Sequence, residues 1–185
     1  DGHYVWVKEN ASIIRDEDGA PLFWQGILSD ITQQKQIEQA TQRQLKELTI
    51  LHATASAETI AKNLDELIQN ITDIIGGTLY PDNCGVLLLN EVKNELMPHF
   101  SYRGVSEKNR LTSIPLTKGT VGKVATTRKS IRLGDVSQEP AYYEATIGIQ
   151  SELCVPIINE SKIVGVFNVE SREPNAFTEN DERLL

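Results

Sequence analysis

Cysteine and histidine are scarce in this chain, and each shortage argues against a class of chemistry. The two cysteines, Cys84 and Cys154, stand alone, without a CxxC or any other metal or disulfide spacing. Each lies in an apolar stretch, where a buried inert thiol is expected rather than a reactive one. His3, His52 and His99 are scattered and join no carboxylate motif, so neither a metal site nor histidine-based catalysis is indicated. The longest apolar runs, Gly85 to Leu89 and Ile163 to Phe167, fall far below the roughly 20 residues of a membrane span. No direct membrane contact is expected. Basic residues are in deficit: 18 Lys and Arg against 26 Asp and Glu give a net charge of −8, which speaks against a nucleic-acid partner. The opening Asp1-Gly2-His3 has no charged-then-apolar secretory form, and the chain stops at Leu184-Leu185 just as an apolar helical stripe begins. Both ends are read as cuts through a longer, cytoplasmic protein.

What is present is enough apolar material, 39% of residues, for a real core. Its densest part is Ser151 to Ser171. Leu153 to Ile158 is almost continuously apolar; Ile163, Gly165, Phe167 and Val169 then fall on one face of a second strand, with Val164 and Val166 on the other. A strand apolar on both faces needs cover above and below, which puts this hairpin at the centre of a sheet with helices on both sides. Pro156 predicts a bulge or a local edge, and Gly165 marks a close approach by a packed helix or a ligand.

In chain order, Tyr4 to Ile14 and Leu22 to Ile31 read as two strands joined by the Asp-Gly turn in Asp16 to Gly19. From Thr32 to about Ala57 there is neither Gly nor Pro, and the spacing predicts a long helix with Ile37, Ala40, Leu45, Leu48, Leu51 and Ala55 on a rough stripe. Its glutamine-rich first half makes a marginal seam, suited to pairing with its own copy in a parallel dimer. Asn63 to Glu66 has the form of a capping box that opens a helix through Ile75, loosened at Gly76-Gly77. Strands are expected at 84–89, 96–102, 111–116 and 131–133, a short helix at 120–127, an irregular segment at 141–149, and a final helix capped by Thr178.

The first hairpin, with Asp30-Ile31-Thr32 and the helix behind it, resembles the closing strands of a PAS sensory domain and its exit into a signalling helix. In that family the exit Asp usually forms a salt bridge back to the domain. The remaining order, a helix, strands, the Lys118-Gly-x-x-Gly122 helix, an Asp-Val loop, Ser151-Glu-Leu-x-Val-Pro156, Gly165-Val-x-Asn-Val-Glu-Ser171 and Phe177-Thr-x-x-Asp181, resembles a GAF domain. The expected fold class is therefore α+β, a GAF-like antiparallel sheet with helices on both faces, preceded by a long helix and a PAS-type β-hairpin. The domain boundaries are 1–32 for the hairpin, 33–58 for the linker helix and 59–185 for the GAF domain.

The resemblance also implies a cavity between one sheet face and the segment from Lys118 to Gln150. Phe100, Tyr102, Leu133, Tyr142, Tyr143, Ile149, Cys154 and Phe167 are its expected contributors, and Asp30, Ile31, Thr32, Leu45, Leu48 and Leu51 the expected relay. Lys118 to Val124 lacks the pattern of a phosphate loop but leaves a helix N-terminus open to an anion. Around it, eight basic residues between positions 103 and 132, against Glu107 alone, suggest attraction of an anionic ligand or an acidic partner. Neither cysteine is followed by the histidine of bilin-binding relatives, and no cofactor is identified. The function so implied is a non-catalytic regulatory segment that binds an unknown small molecule and signals through a homodimeric helix. Its output domain lies outside the chain, in a histidine kinase of a two-component system or a cyclic-dinucleotide enzyme. A ligand-free dimerisation module and a thiol-dependent GAF-type reductase are the alternatives.

Overall fold

The computed structural model describes residues 4–80 and 82–185. They form two compact units, Asp1–Lys46 and Glu47–Leu185, whose boundary falls inside one long helix.

In the first unit, β1 (Val7–Arg15) and β2 (Pro21–Asp30) pair antiparallel. The Asp16 carboxylate accepts the amides of Asp18 and Ala20, and Gly19 takes the positive φ that the turn requires. At the exit, Asp30 Oδ1 accepts the Thr32 amide at 2.8 Å and so caps α1 (Thr32–Ile60). The Thr32 hydroxyl beside it, and then this amide, lower the Asp30 carboxyl below its usual range. The Thr32 hydroxyl in turn accepts the Trp6 amide at 2.9 Å, and the Ile31 amide donates to the Trp6 carbonyl at 2.8 Å, so the helix start is tied to β1's approach. Trp6, Trp24, Ile27 and Leu28 of this unit are exposed.

The second unit is a six-stranded antiparallel sheet in the order β5-β4-β3-β8-β7-β6. The strands are β3 (Asn83–Asn90), β4 (Glu95–Pro98), β5 (Ile114–Pro115), β6 (Ile131–Leu133), β7 (Ser151–Asn159) and β8 (Lys162–Ser171). The hairpin expected at the centre is half central: β8 lies between β3 and β7, while β7 is next to the edge. Pro156 lies beyond the end of β6, where β7 has an open edge, and the β7–β8 register shifts between Ile157 and Ile158. The nearest neighbours of Gly165 belong to a strand and not to a helix. A Cβ there would run into the carbonyl oxygen of Leu87 on β3, so strand-to-strand approach explains this glycine.

Side-chain alternation divides the core in two. On one face Cys84, Val86, Leu153, Val155, Phe167 and Val169 pack against Ile68 and Ile75 of α2 (Leu64–Thr78) and against Phe177. On the other, Leu87, Leu96, Cys154 and Val166 pack against Val121, Val124 and Ala125 of α4 (Gly119–Thr127). Asn63 caps α2 by accepting the Glu66 amide, but the Glu66 carboxylate reaches back to the Lys62 amide instead of closing the box on Asn63. The helix also continues through Gly76 and Gly77 to Thr78.

The strands expected at 96–102 and 111–116 are shorter in the fold. The chain turns after Pro98, and a four-residue helix, α3 (Glu107–Arg110), capped by Ser106, precedes the two residues of β5. Thr178 closes a full capping box with Asp181 at the start of α5 (Glu179–Leu184).

Candidate functional site

The face of the sheet under α4 is where the alternation turns polar. β8 follows Val166 with Asn168 and Glu170 on the same side, and β7 places Glu152 next to them through the Glu152↔Glu170 and Cys154↔Asn168 pairs. All three side chains are at least 96% buried. With Thr120 at the start of α4 and Tyr102, they floor a cavity of about 40 Å³. Its walls include Leu87, Pro98, Asn109, Thr112 and Tyr143. Gly85 sits in β3 opposite Asn168, and the Tyr102 ring lies where a Cβ of residue 85 would stand, 2.5 Å away. Asn168 Nδ2 donates to the Tyr102 hydroxyl at 3.0 Å. Over the mouth, Asn109 Nδ2 donates to the Ala145 carbonyl and Lys118 Nζ stands 3.9 Å from the centre of the Tyr143 ring.

The electrostatics are unusual for an interior. Glu170 accepts from Asn83 Nδ2 at 2.6 Å and from the Tyr142 hydroxyl at 3.4 Å; burial still raises its carboxyl above the usual range. Burial, and then repulsion by Glu170, push Glu152 up to about 8, although Thr120 and Asn168 beside it favour the charged form. Among the described residues no lysine, arginine or histidine lines the cavity. Among the described residues, Glu152 Oε2, Asn168 Oδ1 and Thr120 Oγ1 in it make no hydrogen bond of good geometry, although Thr120 and Asn168 stand close enough to Glu152 to favour its charged form.

The expected contributors are scattered around this site. Tyr102 and Tyr143 line the cavity, and Tyr142 reaches it through its bond to Glu170. Phe100 is exposed and stacks on His99, with ring centres 4.2 Å apart. Leu133 in β6 pairs with Glu152, Ile149 is buried nearby, and Cys154 is core packing beneath α4; none of the three lines the cavity. Phe167 faces the opposite side, where a larger groove of about 500 Å³ is lined by apolar side chains and Asn159. Of the expected relay residues, Asp30, Ile31 and Thr32 form the helix start described above, and Leu45, Leu48 and Leu51 are exposed along α1. Glu152, Asn168, Glu170, Thr120 and Asn109 were not foreseen. The available signal was Asn168 and Glu170 continuing the alternation of a strand whose neighbours are apolar on both faces.

Neither cysteine reaches the cavity. Both are fully buried, on opposite faces of the sheet; burial pushes the Cys84 thiol up to about 12 and Cys154 well above its usual value. The α4 N-terminus, expected to receive an anion, instead meets Glu152 and Glu170. Four of the eight basic residues of 103–132 are engaged locally: Arg103 pairs with Asp73, Lys123 with Glu139 and Arg132 with Glu182, while Arg128 donates to the Ser161 carbonyl. Among the described residues no helix is long and apolar enough to cross a membrane, and no group of three metal-binding side chains occurs.

Comparison with known proteins agrees with this architecture. The methyl sulfide methyltransferase-associated sensor of Methanosarcina acetivorans is 26% identical over 93% of the chain, which spans only 17% of that protein. Among solved structures, the free methionine-R-sulfoxide reductase of Neisseria meningitidis, in complex with its substrate, superimposes with a TM-score of 0.70. It is 18% identical, over 77% of this chain and 83% of that one. The GAF domain of an Acinetobacter phosphoenolpyruvate-protein phosphotransferase gives 0.66 at 21% identity, over 75% and 86%. The reductases, which recur among the solved neighbours, correct the expectation that the segment is not an enzyme: this fold is also that of enzymes, and adopting it does not exclude catalysis. With the sheet order, the α4 cavity and a profile match to the GAF domain over residues 61–185 all in agreement, the chain belongs to the GAF domain family.

Proposed function

We propose that this chain is a sensory segment of a larger signalling protein, in which the GAF cavity binds a small molecule and its occupancy is passed along α1. The observation that carries this reading is the set of buried polar groups around one cavity, Glu152, Asn168 and Thr120, whose Oε2, Oδ1 and Oγ1 atoms are left without a hydrogen bond of good geometry. An unpaired buried polar group costs about 1–3 kcal/mol, and a ligand that satisfies it recovers that cost. The apolar groove on the other face is larger but offers no comparable unpaired group.

The hairpin, read as the end of a PAS domain, and α1, read as a parallel dimer seam through Leu45, Leu48 and Leu51, connect the cavity to an output domain of the kinase or cyclic-dinucleotide class. The Methanosarcina relative is itself named a sensor, and this chain spans a small part of it. A ligand shifts helix packing only as far as it binds two states unequally, and typical coupling is about 1–3 kcal/mol. Native mass spectrometry of the gently purified chain, set against its denatured mass, tests the reading. A dimer carrying extra small-molecule mass is expected. A bare chain, unchanged after incubation with a metabolite extract, contradicts it.

A further inference from the structure

We infer that the GAF cavity takes a compact organic cation of the alkylammonium or guanidinium class, seated between Glu152 and Glu170. The inference rests on the sensor reading above and specifies the chemistry of its ligand. Two buried carboxyl groups from neighbouring strands share the cavity, and its lining supplies no positive side chain to neutralise them. Turning the Asn168 amide about its axis would exchange its donor and acceptor, yet leave this imbalance of charge unchanged.

The surroundings deepen the imbalance. Glu139 adds its field to that on Glu152, and Glu144 faces the Tyr142 hydroxyl that donates to Glu170. Of the neighbouring cations, Lys123 Nζ lies 3.6 Å from Glu139 and Lys118 Nζ stands over the Tyr143 ring, and no cation lowers the Glu152 or Glu170 carboxyl. The other side chains against the pair are neutral, Tyr102, Thr120, Asn83 and Asn168, and the partial positive end of α4, which carries no full charge, offsets only part of the two carboxylates. The raised Glu152 carboxyl agrees with a site that holds a proton when no cation is bound.

Size and lining narrow the class. About 40 Å³ leaves room for roughly three water-sized groups, enough for a small head group but not for a nucleotide or a tetrapyrrole in this conformation. Leu87, Pro98, Val121 and the Tyr102 and Tyr143 rings suit the carbon of an organic cation better than a bare metal ion, which prefers an all-oxygen shell.

The test uses the full chain and backbone amide NMR at Thr120, Glu152, Asn168 and Glu170. It is titrated with methylammonium and guanidinium chlorides, against sodium acetate, formamide and magnesium chloride. Saturable shifts are expected with the organic cations, at least tenfold tighter at pH 8.5 than at pH 5.5, because protons compete for the same carboxylates. Glu152→Gln and Glu170→Gln are expected to weaken binding at least tenfold, and the wild-type pH dependence provides an independent readout if either variant misfolds. Equal or tighter saturation by acetate, formamide or magnesium overturns the inference while leaving a ligand-binding cavity in place. Unaltered cation affinity in both variants overturns it as well. A lack of response to every probe also overturns it, and the sensor reading is then judged separately by the mass of a co-purified ligand.

Discussion

Glu152 is nearly as dry as the leucine that follows it, yet it carries an ionisable group. Its carboxyl titrates near 8 in the fold, against an ordinary value of 4.5. Between those values the folded chain keeps a proton that the unfolded chain releases, so the unfolded state gains as pH rises. The stability contribution of this group is fully present below about 4.5 and is lost as pH rises through about 8. The melting temperature of the ligand-free chain is therefore expected to fall between pH 5 and 9, and Glu152→Gln to flatten that fall; calorimetry across the range checks both. Asn83 is the complementary case. Its amide donates to Glu170 at 2.6 Å from the neighbouring strand. Asn83→Ala strips a buried carboxylate of a donor, and urea unfolding should read a loss of about 1–3 kcal/mol.

At the level of elements, the cavity depends on β3 leaving space for Tyr102. Gly85→Ala places a methyl group 2.5 Å from that ring and 2.8 Å from its Cα, so neither the side chain nor the backbone gives way freely. Overpacking of this kind costs about 1–3 kcal/mol. The expected outcome is a lower melting temperature together with displaced Asn168 side-chain amide resonances, since that amide donates to the Tyr102 hydroxyl. The final helix is fixed just as locally. Asp181, 2% exposed, closes the capping box with Thr178 and accepts the Tyr80 hydroxyl at 2.9 Å. Tyr80→Phe should cost about 1–2 kcal/mol by urea unfolding.

Elements of this kind were legible because their causes are local. Thr178 and Asn63 cap the helices they precede, and the apolar alternation of β8 marks a strand with both faces covered. Where the chain turns early, after Pro98 and around α3, apolar spacing through Phe100 suggested a continuing strand, but the fold leaves that ring outside on His99. The cavity was less legible for a different reason. Thr120, Glu152 and Glu170 meet only once the sheet order is fixed, and the alternation that puts Glu170 on the Val166 face does not tell which elements cover that face.

For the molecule as a whole, α1 is the element that ties the account together. Ile50 is buried among the apolar side chains of the second unit, whereas Leu48 and Leu51 on the same helix are exposed. Replacing both exposed leucines with glutamate should convert the proposed dimer to a monomer in light scattering, with little change in the melting temperature of the GAF domain; a persisting dimer argues against this seam. The GAF order of elements was readable along the chain because it is a matter of sequence, from the α2 cap to the α5 cap. The character of the binding site was not, because charge is set by which side chains meet.

The claim on which the rest depends is that the cavity holds two carboxyl groups without a cation. It is tested most directly by following the side-chain carboxyl carbon of Glu152 by NMR as a function of pH in the ligand-free chain. A midpoint near 8 is predicted, whereas a midpoint at the ordinary 4.5 would mean that the carboxylate is solvated or neutralised after all, and would contradict the account.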